Sequence, residues 1–265
     1  MRPSPWLVFC SLGIVVLGAF LFLDIQSPNA SEFAEARRHQ RAGRINEAFA
    51  LYQSLEGSDP GGVWGCKAMW EEASMRYSVA NQTKEAVGLL EAIINSCGDL
   101  GLVGQALVLL ADIYEFAMQD LDTANELRLR YLGLTKNPDG AHETRFKMAD
   151  AEFKAGHLAQ AQAGLESLLR LEPSPDLAVR ASLRLGAIAQ LQGDYERSID
   201  HFQSVIANAV SPEFRLEAQL GIVESYEYLN EIEKAIAVAI TIDAPAYAVN
   251  LKSNLLTRLK AQREP

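Results

Sequence analysis

The feature that most constrains this chain is a short pattern that returns six times at nearly constant spacing. It reads GRINEA at Gly43–Ala48, NQTKEA at Asn81–Ala86 and QDLDTA at Gln119–Ala124. It then reads GHLAQA at Gly156–Ala161, GDYERS at Gly193–Ser198 and NEIEKA at Asn230–Ala235. The closing small residues lie 38, 38, 37, 37 and 37 positions apart. A fixed period of this size marks a stack of supersecondary units, none of which buries its apolar face alone. Each period reads as two helices. The turn opens on Gly or Asn in five of six cases, residues that tolerate a left-handed backbone at a helix C-terminus, and Gln119 is the exception. The small residue five places later lets the two helices approach closely. Apolar residues follow at helical spacing, as in Ile199, Phe202, Val205 and Ile206. Pro60, Pro138, Pro173 and Pro212 fall at the breaks between repeats, where a helix must stop.

Three repeats carry a fuller pattern. The second has Trp70, Tyr77, Ala86 and Ile93; the fourth has Ala149, Gly156, Ala161, Leu165, Leu168 and Pro173; the fifth has Leu185, Gly186, Gly193, Tyr195, Ser198 and Phe202. Over about residues 30 to 245 the chain resembles the tetratricopeptide repeat family. The period exceeds that family's usual length of about 34 by a few residues, which predicts slightly longer turns or second helices. The resemblance implies an all-α fold, an α-solenoid of about six hairpins over residues 31–245. A final helix over residues 246–265 would cap the stack. Val249, Leu251, Leu255, Leu256 and Leu259 make its apolar stripe, and Lys252, Arg258, Lys260 and Arg263 its polar faces.

Residues Trp6–Leu23 form an uncharged apolar run of 18 residues. At about 1.5 Å per residue it spans roughly 27 Å, close to the hydrocarbon thickness of a bilayer. It reads as one transmembrane helix, a signal anchor, between a cytoplasmic stretch at residues 1–5 and a linker at 24–30. Arg2 before the run, and Asp24, Glu32 and Glu35 after it, place the repeats across the membrane. The expected location is the inner (cytoplasmic) membrane of a bacterial-type cell, with the repeats in the periplasm. Cleavage at Pro28-Asn29-Ala30, releasing a secreted protein, is the alternative. A lipoprotein signal is excluded, because Cys10 follows Phe9 inside the run.

In the resembled family the first helix of each repeat lines a concave surface. The residues this implies are Phe33, Arg37 and Arg41; Glu71, Met75 and Val79; and Val108, Asp112, Glu115 and Phe116. Further along they are Phe146, Asp150, Phe153 and Lys154; Leu183, Ala187 and Leu191; and Leu220, Glu224, Glu227 and Tyr228. Members that clamp a peptide carboxylate use Lys and Asn at these places. Acids and aromatics here imply apolar pockets with negative charge, suited to a protein or peptide bearing aromatics, Lys or Arg. Core packing is the competing role for Phe146, Phe153 and Leu183.

Cys66 precedes the first helix of the second repeat, and Cys97 ends its second helix. In an antiparallel pair these ends are neighbours, so a disulfide suits an oxidising compartment, and two buried thiols suit a reducing one. With three Cys and four scattered His, no metal site is expected. No phosphate-cradling loop or nucleophile motif is present, so neither a cofactor nor an enzymatic activity is expected. Paired acids such as Glu71-Glu72 and Asp120/Asp122 read as solvated residues. Asn81-Gln82-Thr83 fits a glycosylation sequon, a match common by chance. The 34 Asp and Glu against 24 Lys and Arg give a net charge of −10, which disfavours nucleic acid as a partner. The expected role is a membrane-anchored interaction scaffold or assembly cofactor. A chaperone-like module for envelope proteins or polymers, and a recruiter facing the cytoplasm, are the alternatives.

Overall fold

The structure is a computed structural model that describes residues 27–209, 211–242 and 249–263. The apolar run Trp6–Leu23, the stretch 1–5, residues 24–26 of the linker, and residues 246–248 and 264–265 of the expected cap lie outside the described residues. Among the described residues no helix is long and apolar enough to cross a membrane.

Thirteen helices and no strand occur among the described residues. They are α1 (Pro28–Arg41), α2 (Ile45–Ser58), α3 (Val63–Ser78), α4 (Thr83–Ser96), α5 (Leu100–Phe116) and α6 (Leu121–Leu134). There follow α7 (Pro138–Lys154), α8 (Leu158–Leu169), α9 (Pro175–Gln192), α10 (Tyr195–Asn208), α11 (Pro212–Tyr228), α12 (Ile232–Thr241) and α13 (Val249–Arg263). The first twelve pair into six hairpins, one for each sequence repeat.

The turn chemistry works as the sequence indicates, and it extends to the exception. Gly193 has φ +79° and closes α9 through its N–H to the Gln190 carbonyl, while Asp194 caps α10 by accepting from the Arg197 N–H. Gln119 adopts φ +57° in the corresponding turn, although it carries a side chain. Asp120 beside it caps α6 by accepting from the Thr123 N–H and hydroxyl. Capping and helix packing hold Gln119 there against a conformation that disfavours it. The small residues at the end of the pattern, Ala48, Ala86, Ala124, Ala161, Ser198 and Ala235, are all fully buried.

Pro60, Pro138, Pro173 and Pro212 all fall at the breaks between hairpins, as expected, and two of them also start a helix. Pro28, Pro138, Pro175 and Pro212 open the helices that follow, where the missing N–H is no loss and the fixed φ is already helical.

The helices form two compact units, one ending at Leu134 and the other beginning at Thr135. In the N-terminal unit each helix packs on the next, and the first helices of successive hairpins, α1, α3 and α5, also touch in turn. Its core divides into a cluster around Tyr52, Leu55 and Met75 and one around Leu90, Leu107 and Ile113. The C-terminal unit repeats the scheme with α7, α9 and α11. There the Phe202 ring of α10 sits between Gly186 of α9 and Gly221 of α11, where a Cβ would meet it at 2.6 and 2.3 Å. The unit ends with α13 on α12, where Leu259 is fully buried beside Val223, Ala235 and Ile236.

Candidate partner-binding surface

Of the residues implied for the concave face, those of the C-terminal unit gather most closely. Phe153 of α7, Ala187 and Leu191 of α9, and Glu224 and Tyr228 of α11 line one open recess of about 490 Å³. Gln190 and Tyr195 complete it. Tyr228 stacks on Tyr195 with ring centroids 4.8 Å apart and planes 4° from parallel. Leu191 is 65% exposed and Tyr228 62%, a large apolar exposure for residues on rigid helices. Glu224 stands exposed at the edge and joins no ion pair among the described residues.

The floor of the recess is fixed by hydrogen bonds. Gln190 Nε2 donates to the Gly221 carbonyl at 2.9 Å and to Ser225 Oγ at 3.0 Å. Ser225 Oγ reaches Ser198 Oγ at 3.3 Å. Ser198 is the one repeat-closing position that is not Ala, and its hydroxyl serves this network. Tyr195 was legible only as a family packing position, and Gln190 left no sequence signal beyond its place one residue before Leu191.

Beside the recess runs a ladder of arginines that the sequence reading missed. Arg180 lies 4.3 Å from the Phe146 ring centroid and grips Glu143 with two bonds of 3.0 and 3.1 Å. Arg184 lies 5.1 Å from the Phe153 centroid and binds Asp150 at 2.5 Å. Lys154 binds the same carboxylate at 2.8 Å. Burial alone would raise the Asp150 carboxyl, but the hydrogen bonds from Lys154 and Arg184 outweigh it and hold the group below its ordinary value. The spacing of Arg180, Arg184, Ala187 and Leu191 is one helical face, the signal that would have found the arginines.

Four implied residues belong to the core instead. Phe146 is 6% exposed and packs against Ala149 and Leu177. Leu183 packs with Val179 and Ile199, and Met75 with Ala36, Ala48 and Tyr52. Each lies on a helix enclosed by neighbours on several sides, so apolar positions there point inward more often than into a groove. Phe33 is buried likewise.

In the N-terminal unit the expected acids are tied up in ion pairs. Arg128 of α6 is 2% exposed and pairs with Asp112 at 3.3 Å and with Glu115. Arg37 approaches Glu71 at 3.6 Å, and Gln40 donates to Glu71 at 3.2 Å while accepting from the Tyr52 hydroxyl at 2.7 Å. Arg41, Val79 and Phe116 are exposed, and Val108 is half-buried. In the C-terminal unit Glu227 pairs with Arg258 at 2.7 Å, and Leu220 is half-buried. The acidic groove of the sequence reading is therefore largely neutralised. Glu72, read as solvated, is buried under Gln53 and Arg76.

Cys66 and Cys97 are joined as a disulfide, with Cα atoms 6.0 Å apart, tying the start of α3 to the end of α4. Among the described residues no group of three or more His, Cys, Asp or Glu side chains is placed to hold a metal ion.

Residues 180–209, most of the α9–α10 hairpin, match the family described as Tetratricopeptide repeat. This hairpin is similar to a tetratricopeptide repeat. No curated protein matches the chain by sequence. Among solved structures, it is similar to PilW, described as a widely conserved type IV pilus biogenesis factor. That likeness has 13% identity and a TM-score of 0.56, covering 89% of this chain and 99% of the other. Pseudomonas aeruginosa PilF gives 11% identity and a TM-score of 0.56, covering 88% and 97%. YrrB, described as a TPR protein with an unusual peptide-binding site, gives 16% identity and a TM-score of 0.52, covering 71% and 90%. At these identities the likeness is one of fold. It is a fold of stacked helical hairpins suited to protein–protein interaction.

Proposed function

We propose that this protein is a membrane-anchored interaction scaffold, or assembly cofactor, whose C-terminal unit binds a protein segment in the recess between Phe153, Leu191 and Tyr228. One observation carries the reading: an exposed, preorganised aromatic stack with Leu191 beside it and Glu224 at its edge. Its helices are held by the Gln190 network, so the recess exists before any partner arrives. Its chemistry favours an aromatic or Lys/Arg-bearing segment, since tyrosine faces and a carboxylate both attract cations. The fold likeness to a pilus biogenesis factor and to a peptide-binding repeat protein supports a role in assembly. Anchoring by Trp6–Leu23 would confine the recess to the membrane surface and raise its effective concentration for membrane partners. The disulfide supports an oxidising, periplasmic setting.

A second orientation has one observation behind it. Arg37, Arg38 and Arg41 lie within about 20 residues of the end of the apolar run, against Arg2 alone before it. Counted by basic residues, the repeats would face the cytoplasm. Alkylation of Cys66 and Cys97 in intact cells separates the two: resistance without reductant supports the periplasm, and immediate labelling supports the cytoplasm.

The binding reading is tested by two variants of the full chain. Leu191→Ala with Tyr228→Ala should abolish partner recovery and leave the melting temperature nearly unchanged, because both side chains are exposed. Phe146→Ala should do the reverse, lowering the melting temperature through a core cavity. Partner recovery that survives the double variant refutes the site.

A further inference from the structure

The N-terminal unit holds two carboxyl groups whose unsatisfied atoms belong together. Glu56 of α2 and Glu72 of α3 stand across the α2–α3 interface. Glu56 Oε1 and Glu72 Oε2 are both buried without a hydrogen-bond partner. The other oxygen of Glu72 is fully engaged: Oε1 accepts from Gln53 Nε2 at 3.1 Å and from Arg76 Nε at 2.7 Å, and pairs with Arg76 Nη2. Two carboxylates are both acceptors, so neither can satisfy the other, and buried orphan acceptors are costly. One proton changes this. A Glu56 hydroxyl would donate to Glu72, and Glu72 Oε2 would gain a partner.

We propose that Glu56 and Glu72 share one proton taken from solvent, and that this proton fastens α2 to α3 and makes the joint between the first two hairpins responsive to pH.

The surroundings leave little else to neutralise the pair. From α3, the charged groups facing Glu56 are Glu72 and Arg76. Arg76 cannot turn fully to Glu56, because its Nη1 donates to Gln82 Oε1 at 2.5 Å and its guanidinium lies 4.5 Å from the Phe49 ring centroid. From α1, Arg37 and Arg41 act on Tyr52, and Arg37 pairs with Glu71. On the α2 side, Asp59 is occupied accepting from the Trp64 and Gly65 N–H groups at 2.9 and 3.2 Å. Burial first, and then the charge and hydrogen bond of Glu72, push the Glu56 carboxyl up to about 8, against the lowering effect of Arg76. The folded unit then binds more protons than the unfolded chain between pH 4.5 and about 8. The stabilisation is complete below pH 4.5 and is lost as pH rises to about 8, which loosens α1–α2 from α3 at alkaline pH.

The test is urea unfolding of the full chain in detergent, followed by tryptophan fluorescence, at pH values from 5 to 9. Trp64 and Trp70 lie on α3, so with Trp6→Phe in every sample the signal reports this joint. In the wild type the unfolding constant should rise on the order of 10²- to 10³-fold across that range. In Glu56→Gln the amide replaces the shared proton, and most of that rise should vanish. An equal rise in wild type and variant overturns the proposal. Should the variant fail to fold, a carbon-13 titration of the wild-type glutamate carboxyls decides alone. One resonance titrating near pH 8 supports the shared proton, and glutamates that all titrate below pH 6 refute it.

Discussion

The two units are built from the same hairpin, yet they use the residues implied for the inner face in opposite ways. In the N-terminal unit charges are folded inward: Arg128 takes Asp112 and Glu115, Gln40 links Tyr52 to Glu71, and Glu56 faces Glu72 beneath Arg76. A disulfide holds that unit as well. In the C-terminal unit the polar groups serve as a frame, and the aromatic residues Phe153, Tyr195 and Tyr228 are presented at a recess. The repeat pattern therefore fixes the scaffold and leaves open what its inner face does. One unit spends that freedom on internal pairing, the other on a surface.

The largest effect that would break this comparison is expected at Phe202. Phe202→Ala removes a ring wedged between two helices and should cost the C-terminal unit about 3–5 kcal/mol, measured by hydrogen exchange at α9–α11 amides. A cost under about 1 kcal/mol would mean the ring is not the wedge. Next is the disulfide. Reduction, or Cys66→Ala with Cys97→Ala, should cost the N-terminal unit about 3 kcal/mol by urea unfolding read through tryptophan fluorescence. Exchange at α9–α11 should stay as it was.

A smaller effect should have opposite signs in the two units. Asp150 is held below its ordinary value, so its contribution to the C-terminal unit is present at neutral pH and fades as pH falls below about 4. The N-terminal unit weakens in the other direction, as pH rises. Asp150→Asn should cost about 1–2 kcal/mol at pH 7 and nothing near pH 2, as read from C-terminal exchange. A pH-independent cost would assign the loss to packing.

The smallest effects test the turns. Gln119→Gly should stabilise the N-terminal unit by up to about 1 kcal/mol, because glycine accepts φ +57° freely, while Gly193→Ala should cost the C-terminal unit about as much. Equal signs in thermal melts would show that something besides backbone conformation governs these positions.

Much of the scaffold was legible because it repeats. Six turns, six small residues and the spacing between them are local properties, and each stands in the structure where the sequence indicates. The inner face was legible only in part. Ala187, Leu191, Glu224 and Tyr228 were found by family offsets, but Phe33, Met75, Phe146 and Leu183 fall in the core. A helix packed on several sides has apolar residues all round, so periodicity cannot separate core from surface. The ion pairs escaped for a different reason. Arg184 and Asp150 are 34 residues apart, and Arg180 and Glu143 are 37 apart. Such pairs form only when hairpins stack, and no local pattern announces them.

The measurement that tests the central claim most directly is site-specific photocrosslinking of the full chain in intact cells. A photoreactive residue would replace Leu191 or Tyr228 in the recess, with Gln203, exposed on α10 and outside the recess lining, as the control. The account predicts the same discrete protein adduct from positions 191 and 228, absent from position 203 and lost when Glu224→Lys is added. Adducts of equal yield at all three positions, or none at 191 and 228, would contradict it.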